Sequence, residues 1–344
     1  MKKIIAILTL ILVILSSTAC DKKPTTPDDF ADANNYNIVQ TRNIVLGNEV
    51  NSVVLTTKQG EQLTFDTTAE FYEIFNNVGF TFGEEGKKYS SSAEMKLNDE
   101  SKSFVNMNYY YYDNATFGEF RAKKEGDDAI SAIEEYAQLS KLEDNTIIHS
   151  SFARYTYKNE KAFHGGVSDK NDVITYASTT YPMLPQAGTE LVEMESRSMR
   201  LRNLLMLTDF FANYEPFVSG NKTFDYNEFV TREYKLYENY IVFKQTAPFL
   251  NTCLNGQNDS HAAIIHAQIS SSNDSITQEA YCNVKTGEIE LIKIYGNTRL
   301  HFVQYITMPL EIDMQLYIHN LNETEVATKI ANLINYVKSN SDQQ

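Results

Sequence analysis

The sequence predicts an α+β fold in which a predominantly antiparallel β-sheet, arranged as a meander, packs with about four helices. Two observations support this class. Between Phe224 and His319 a series of β-prone runs follow one another through short turns, the pattern of consecutive antiparallel strands. Single stretches with helical spacing of apolar residues precede, interrupt and follow such runs.

A hairpin and a short helix are the first predicted elements. The runs Asn51 to Thr57 and Glu61 to Asp66 are separated by a short turn that contains Gly60, an arrangement typical of a β-hairpin. The segment Thr67 to Glu70 has the spacing of a capping box, which predicts that a helix follows and ends at Gly79.

The middle of the chain is predicted to contain strands and two further helices. Ile130, Ile133 and Ala137 recur at helical spacing after a capping aspartate, which predicts a helix from Asp127 to about Ser140. The longest amphipathic pattern predicts a helix over about Thr189 to Asn213. Strands are expected at Glu94 to Leu97, Phe104 to Tyr112, Thr116 to Arg121, Ile147 to Tyr157 and Val173 to Ser178.

The last part of the chain is predicted to be an all-β region closed by a helix. Residues Leu310 to Ile318 alternate between apolar and polar, which predicts a strand with one buried face. The segment Asn322 to Glu325 predicts the start of a helix whose apolar stripe is Val326, Ile330, Leu333, Ile334 and Val337. The other strands are expected at about Phe224 to Leu236, Tyr240 to Thr246, His261 to Ser270, Ile276 to Val284, Glu288 to Tyr295 and Arg299 to Thr307.

Residues 1–20 have the pattern of an export signal. Lys2 and Lys3 precede an uncharged, mostly apolar run from Ile4 to Leu15, which at about 12 residues is too short to span a bilayer comfortably. Small residues then lead to Cys20, where the apolar run gives way to Asp21 and further polar residues. The alternatives are an ordinary signal peptide cut elsewhere and a short buried core helix.

The segment Ser17-Thr18-Ala19-Cys20 resembles the lipobox of bacterial lipoproteins, with Ser17 at a position where that family most often has an aliphatic residue. The resemblance implies that Cys20 becomes the acylated first residue, with palmitate-like chains that anchor the protein extracytoplasmically to a membrane of the bacterial cell envelope. Residues 1–19 are then the signal peptide and 20–37 a flexible tether. Residues 38–344 form the sheet-rich region, as one large domain or as two sublobes with a boundary near 180–220.

The charge of the chain disfavours two classes of partner. Its 30 basic and 45 acidic side chains give a formal net charge of −15, and removal of Lys2 and Lys3 with the signal peptide makes this −17. Phosphate repels such a surface, so we expect no nucleic-acid partner and no electrostatic attraction to anionic lipid. Attachment to the membrane would therefore depend on the acyl chains of Cys20.

Two cysteines remain after Cys20 is acylated. Cys253 and Cys282 could form a disulfide in an oxidising compartment, and such a bond would stabilise the fold by roughly 3 kcal/mol. The alternative is a pair of buried free thiols. The chain has no Cys-x-x-Cys pair, and no histidine stands at a useful spacing for a shared metal ion.

Aromatic residues are the unusual feature of the composition. The chain has 22 tyrosines and 19 phenylalanines but no tryptophan, and Tyr109, Tyr110, Tyr111 and Tyr112 are consecutive. In a strand, alternate members of this run point to opposite faces, so one pair could form an exposed aromatic surface for a sugar, peptide or protein. The alternative is cross-strand pairing that stabilises the sheet.

The search for catalytic motifs finds none. Metalloprotease, nucleophile-elbow, phosphate-loop and dinucleotide motifs are absent from the sequence. We therefore name no catalytic residue, metal site or cofactor, and we favour a protein without enzymatic activity.

Two functional hypotheses remain ahead of an enzyme. The first is a non-catalytic, lipid-anchored binding protein that encloses a lipid or another apolar ligand between its curved sheet and a helix. In outline this architecture is similar to the periplasmic lipoprotein carriers and a mycobacterial lipoprotein group, a similarity that involves no residue motif. The second is a surface-exposed structural or interaction lipoprotein that contacts protein or glycan partners.

Overall fold

The computed structural model describes most of the chain after residue 36. The predicted signal peptide, the tether up to residue 36, the predicted helix Thr189 to Asn213 and the predicted strand His261 to Ser270 lie outside the described residues. The described residues are 37–78, 89–97, 103–112, 115–124, 132–143, 146–157, 160–168, 173–179, 217–219, 222–247, 275–303 and 306–341.

These residues form β-strands, two α-helices and one 3₁₀ helix, Tyr226–Phe229. The helices are α1, Phe71–Phe75, and α2, Glu323–Ser341. Neither has the length and apolar character of a membrane-spanning helix. The strands are β1 Ser52–Thr56, β2 Gln62–Asp66, β3 Tyr89–Leu97, β4 Ser103–Tyr112, β5 Ala115–Lys124, β6 Ala132–Glu143, β7 Thr146–Tyr157, β8 Glu160–Ser168, β9 Val173–Thr179, β10 Phe217–Ser219, β11 Lys222–Phe224, β12 Thr231–Leu236, β13 Tyr240–Ala247, β14 Ile276–Asn283, β15 Ile289–Val303 and β16 Ile306–His319.

The predicted α+β class with about four helices is wrong, because the structure is mostly β-sheet. The clearest error is the helix expected from Asp127 to Ser140, where the structure has strand β6. It pairs with β7 along its whole length and with β5 from Ala132 to Leu139. This pairing outweighs the helical spacing of Ile133 and Ala137, since tertiary context overrides weak local preference.

Other predicted elements are confirmed. Strands β1 and β2 form the expected hairpin, with Ser52 opposite Asp66. Helix α1 follows as expected, but it ends at Phe75 instead of at Gly79. The predicted capping box at Thr67 to Glu70 is replaced by one in which the carboxylate of Glu73 accepts a hydrogen bond from the backbone N–H of Glu70 at 3.2 Å. The strands expected on either side of Asn297 are instead one strand, β15, of 15 residues.

Twelve of the strands form one continuous antiparallel sheet. Their order is β12-β13-β14-β15-β16-β3-β4-β5-β6-β7-β8-β9. The chain therefore forms two runs of consecutive neighbours, β3 to β9 and β12 to β16. The pairing of β16 with β3, which places Ile312 opposite Leu97 and His319 opposite Ser90, joins the two runs.

The sheet has two faces that the strand register distinguishes. We call the side that carries Phe117, Ala137 and Phe152 the helix face, since these side chains pack in one cluster with residues of α2. The side that carries Phe243 and Ile292 is the opposite face. There the short helix α1 places the rings of Phe71 and Phe75 edge-on against the ring of Phe243, with ring centres 5.5 and 5.1 Å apart.

Helix α2 lies across the strands on the helix face. It contacts every strand from β4 to β9. Its 19 residues span roughly 28 Å, close to the width of about 24 Å that six neighbouring strands occupy. Lys329 reaches Glu119 on β5, whereas Tyr336 lies under Arg154 on β7, so the helix runs from β4 towards β9. The residues of its fully or almost fully buried stripe are Val326, Ile330, Leu333 and Val337, as predicted.

Residues 37–47 form an extended strap over the other half of the helix face. The carbonyl oxygen of Ile38 accepts a hydrogen bond from Asn108 on β4, and that of Gln40 lies 2.9 Å from Nε2 of His319 on β16. Farther along, Ile44 and Leu46 pack against Tyr240, Tyr281 and Leu291. The strap and α2 thus lie on the same face of the sheet.

We expect Leu333→Ala to lower the free energy of unfolding by about 2–5 kcal/mol, because it removes a fully buried side chain from the interface between α2 and the sheet. Denaturant unfolding measures the change. Asn332→Ala, at the neighbouring exposed position, is the control and should change stability by about 0.5 kcal/mol or less. Equal effects of the two substitutions would contradict the placement of α2.

Candidate functional site: a buried polar row beside the C-terminal helix

Four polar side chains form a row across four neighbouring strands of the helix face. Asn108, Glu119, Glu135 and Arg154 lie directly opposite one another on β4, β5, β6 and β7. Each is only 5–7% exposed. We call these residues the polar row. The next row along the same strands is apolar and lies in the cluster with α2: Tyr110, Phe117, Ala137 and Phe152.

Glu119 connects the polar row to α2 and lies beside the strap. Its carboxylate accepts hydrogen bonds from Nζ of Lys329 at 3.0 and 3.1 Å, and from Nδ2 of Asn108 at 2.8 Å. The same Asn108 amide donates to the carbonyl of Ile38 in the strap. The hydroxyl of Tyr110 also donates to Glu119, and burial together with this negative charge raises the pKa of Tyr110. Strap, sheet and helix therefore meet at one carboxylate.

Glu135 and Arg154 form a buried ion pair. One carboxylate oxygen of Glu135 accepts hydrogen bonds from Nε and Nη2 of Arg154, at 2.8 and 2.7 Å. The guanidinium of Arg154 also lies 4.8 Å from the centre of the Tyr336 ring, a cation–π contact with α2. Since each ion would be costly to bury alone, the two side chains hold each other in this position.

Arg121 is the next residue along β5 on the same face as Glu119. Only 3% of its surface is exposed. Its Nε and Nη1 atoms are buried and have no hydrogen-bond partner among the residues that the structure describes. A guanidinium remains protonated in proteins, so this group presents two unsatisfied charged donors inside the fold.

A second polar cluster holds the strap on the sheet. Arg42 in the strap lies 3.3 Å from Glu290 on β15 and donates to the carbonyl of Ile318. The hydroxyl of Tyr240 donates to Glu290 at 2.7 Å, and burial, aided by this hydrogen bond, raises the pKa of Tyr240 to about 12. These contacts bring residues distant in the sequence together, and we assign them a structural role.

The chemistry of the polar row is that of charge and hydrogen bonding. Its charged members are Glu119, Glu135 and Arg154, with Lys329 and Arg121 beside them. Within the described ranges, no group of three or more His, Cys, Asp or Glu side chains is arranged to hold a metal ion. The arrangement is suited to holding the polar end of a ligand in an apolar surrounding.

The cysteines predicted as functional residues are only partly within the described part of the chain. Cys20 and Cys253 lie outside it. Cys282 lies fully buried on the opposite face of β14 with no disulfide partner among the described residues, and burial raises the pKa of its thiol. Acylation of Cys20 and a bond between Cys253 and Cys282 stay predictions.

The run Tyr109, Tyr110, Tyr111 and Tyr112 lies in β4, as predicted. Tyr110 is the member whose side chain the structure describes. It is 5% exposed and packs with α2 on the helix face, where the ammonium of Lys329 lies 5.6 Å from its ring centre. Tyr110 therefore supports the alternative in which the run stabilises the sheet.

Sequence reasoning missed the polar row. One signal was available in the predicted strand Thr116 to Arg121. Phe117, Glu119 and Arg121 alternate along it and so lie on one face, which means that two charged residues share a face with a large apolar one. For Glu135 no such signal existed, because the wrong helix prediction for this segment removed it from the strand pattern. The pairing of Glu135 with Arg154 depends on strand register, which the sequence does not display.

No protein-family model matches this chain, and no curated protein matches it either.

We expect Glu135→Leu to destabilise the protein by about 3–5 kcal/mol, because Arg154 would remain buried without its counterion. The double variant Glu135→Leu with Arg154→Met should recover much of this loss, since it removes both charges. Denaturant unfolding of the two single variants and the double variant measures the coupling.

The exposed pair Lys244 and Glu233, 3.0 Å apart, is the control for this prediction. Lys244→Met should cost about 1 kcal/mol or less, because solvent screens this pair. A double variant at Glu135 and Arg154 that loses as much stability as the two single variants combined would contradict the buried pairing.

Proposed function

We propose that this chain is a lipid-anchored extracytoplasmic lipoprotein of the bacterial cell envelope that binds an apolar ligand and performs no chemistry on it. The anchor is the set of acyl chains on Cys20, and the ligand is a lipid or a similar molecule with an apolar body and a polar end. The site lies between α2 and strands β4 to β9.

One observation carries this proposal: the apolar interface between α2 and the sheet is bordered by the buried polar row. Beneath α2 lie Phe117 and Phe152, whose surroundings are apolar. Two residues farther along the same strands, on the same face, the side chains are the charged Glu119 and Arg154. Such a change from apolar to polar matches a ligand with an apolar body and a polar end.

Helix α2 is suited to act as the movable wall of this site. Its contact with the sheet consists mainly of apolar packing, which has no directional requirement, so an acyl chain could replace part of it. Its polar contacts to the sheet include the hydrogen bonds between Lys329 and Glu119 and the stacking of Arg154 on Tyr336. Both lie at the polar row, where the ligand's polar end would be placed.

The position of the strap supports the anchored state. Lys2, Lys3 and the apolar run before Cys20 favour export and acylation. The predicted tether ends at residue 37, the first described residue of the strap, and the carbonyl of Ile38 accepts a hydrogen bond from Asn108 of the polar row. A tether that enters here would hold the site at a short distance from the membrane.

A second candidate function, contact with a protein partner, is favoured by the edge of the sheet. Strand β9 pairs with β8 alone among the strands that the structure describes. Its sequence, VITYAST, contains no charge and no proline, the two features that usually protect an edge from further pairing. An extended peptide could add to this edge as a further strand.

Native mass spectrometry of the chain from Asp21 onward, purified from bacteria without detergent, tests ligand binding. This form lacks Cys20, so an apolar adduct cannot be the covalent anchor. We expect an adduct at near-unit stoichiometry, and the extracted lipid should raise the unfolding temperature of the delipidated protein, because it binds the native state. A clean apo mass together with an unchanged unfolding temperature would contradict the proposal.

Fractionation of bacteria that express the full chain tests the anchor separately. We expect the wild type in the membrane fraction with an acylated Cys20, and Cys20→Ala in the soluble extracytoplasmic fraction or retained with an uncleaved signal. Cys282→Ala is the matched control and should stay acylated and membrane-bound. Equal membrane association of wild type and Cys20→Ala, with no acyl group detected on the wild type, would contradict lipidation.

A further inference from the structure

Arg121 is a charged side chain for which the described structure supplies no counterion. It is 97% buried, in a position where its Nε and Nη1 donors meet no acceptor. A guanidinium does not lose its proton on burial, unlike a lysine or a histidine. Uncompensated burial of such an ion costs several kcal/mol, so this arrangement requires an explanation.

The two carboxylates of the adjoining polar row already have other partners. Glu119, two residues before Arg121 on β5, accepts hydrogen bonds from Lys329, Asn108 and Tyr110. Glu135 accepts hydrogen bonds from Nε and Nη2 of Arg154. Arg121 is thus the one cation of this cluster without a described anionic partner.

We propose that Arg121 binds the anionic head group of the ligand, a carboxylate or a phosphate, and that the physiological ligand is an anionic amphiphile. This inference rests on the proposed function and specifies its ligand class. The unsatisfied Nε and Nη1 donors lie on different edges of the guanidinium, and each edge also carries Nη2, so an oxyanion can accept charge-assisted hydrogen bonds at either edge.

The spacing of residues along β5 indicates where the apolar and the anionic end of such a ligand would lie. Phe117, at the centre of the apolar cluster with α2, and Arg121 lie on the same face of β5, about 13 Å apart along the strand. The neutralised pairs of Glu119 and Glu135 lie between them on the sheet. An acyl chain over the apolar cluster can therefore place its anionic head at Arg121, and no unpaired carboxylate of the polar row opposes it.

A binding experiment on the delipidated chain from Asp21 onward separates charge from apolar contact. The probes are palmitate and its uncharged methyl ester, which share the same acyl chain, and phosphatidic acid as the phosphate source. We expect the wild type to bind palmitate or phosphatidic acid roughly tenfold or more tightly than the ester, as a charged hydrogen-bonded pair provides. Whichever anion is preferred identifies the head group as carboxylate or phosphate.

Arg121→Met is expected to abolish this preference and to leave the affinity for the ester unchanged. Arg232→Met is the matched control, because Arg232 is also partly buried but donates to Gln245 and Asn227 far from the polar row. The control should retain the preference for the anion.

The unfolding temperature of the ligand-free variants is a second readout, and we expect it to respond differently to the two substitutions. Arg121→Met should leave the unfolding temperature unchanged or raise it, because it removes a buried charge without a counterion. Arg232→Met should lower it, since it breaks existing hydrogen bonds. A lower unfolding temperature for Arg121→Met would show that another part of the chain neutralises Arg121, and would overturn the inference.

The outcomes distinguish this inference from the proposed function. Equal binding of palmitate, phosphatidic acid and the ester would overturn the anionic head group while the apolar-ligand function stands. Binding of none of the probes, together with a clean apo mass, would overturn both. A preference for the anion that persists in Arg121→Met would assign the head group to another residue and overturn the role of Arg121.

Discussion

The pairing of β16 with β3 is the constraint on which the rest of the architecture depends. It joins a late run of strands to an early one, so that twelve strands share a single sheet. Helix α2 begins at Glu323, shortly after β16 ends at His319, and must therefore start beside β3 and β4. From there the helix continues over β4 to β9, where the sheet covers its buried stripe.

This placement explains why the polar row is buried. The strands contribute apolar side chains beneath α2 and polar ones along its flank, and the helix contributes Lys329 and Tyr336 at that flank. The strap reaches the same flank from the other side through Ile38 and Asn108. Elements far apart in the sequence thus exclude water from charged groups, and low polarity makes each ion pair there strong and each unpaired ion costly.

A buried polar row is a poor way to gain stability, because apolar residues of similar volume would often serve as well or better. A gain in stability therefore does not account for these residues, and their role lies in the groups that they hold in position. Glu135 and Arg154 neutralise each other, and Glu119 accepts hydrogen bonds from its neighbours. Arg121, in contrast, has two donors without a hydrogen-bond partner among the described residues. Natural proteins tolerate such local violations chiefly where function requires them, and this difference among neighbours directs the functional proposal to Arg121.

The sequence by itself determined the elements whose signal is local. The hairpin of β1 and β2, the alternation of β16 and the stripe of α2 follow from residue spacing alone, because a strand and a helix bury one face at periods of two and 3.6 residues. Only the tertiary structure decided that residues 132–143 form a strand, and that Glu119, Glu135 and Arg154 align on one face. Strand pairing and register are contacts between distant segments, so no local pattern encodes them.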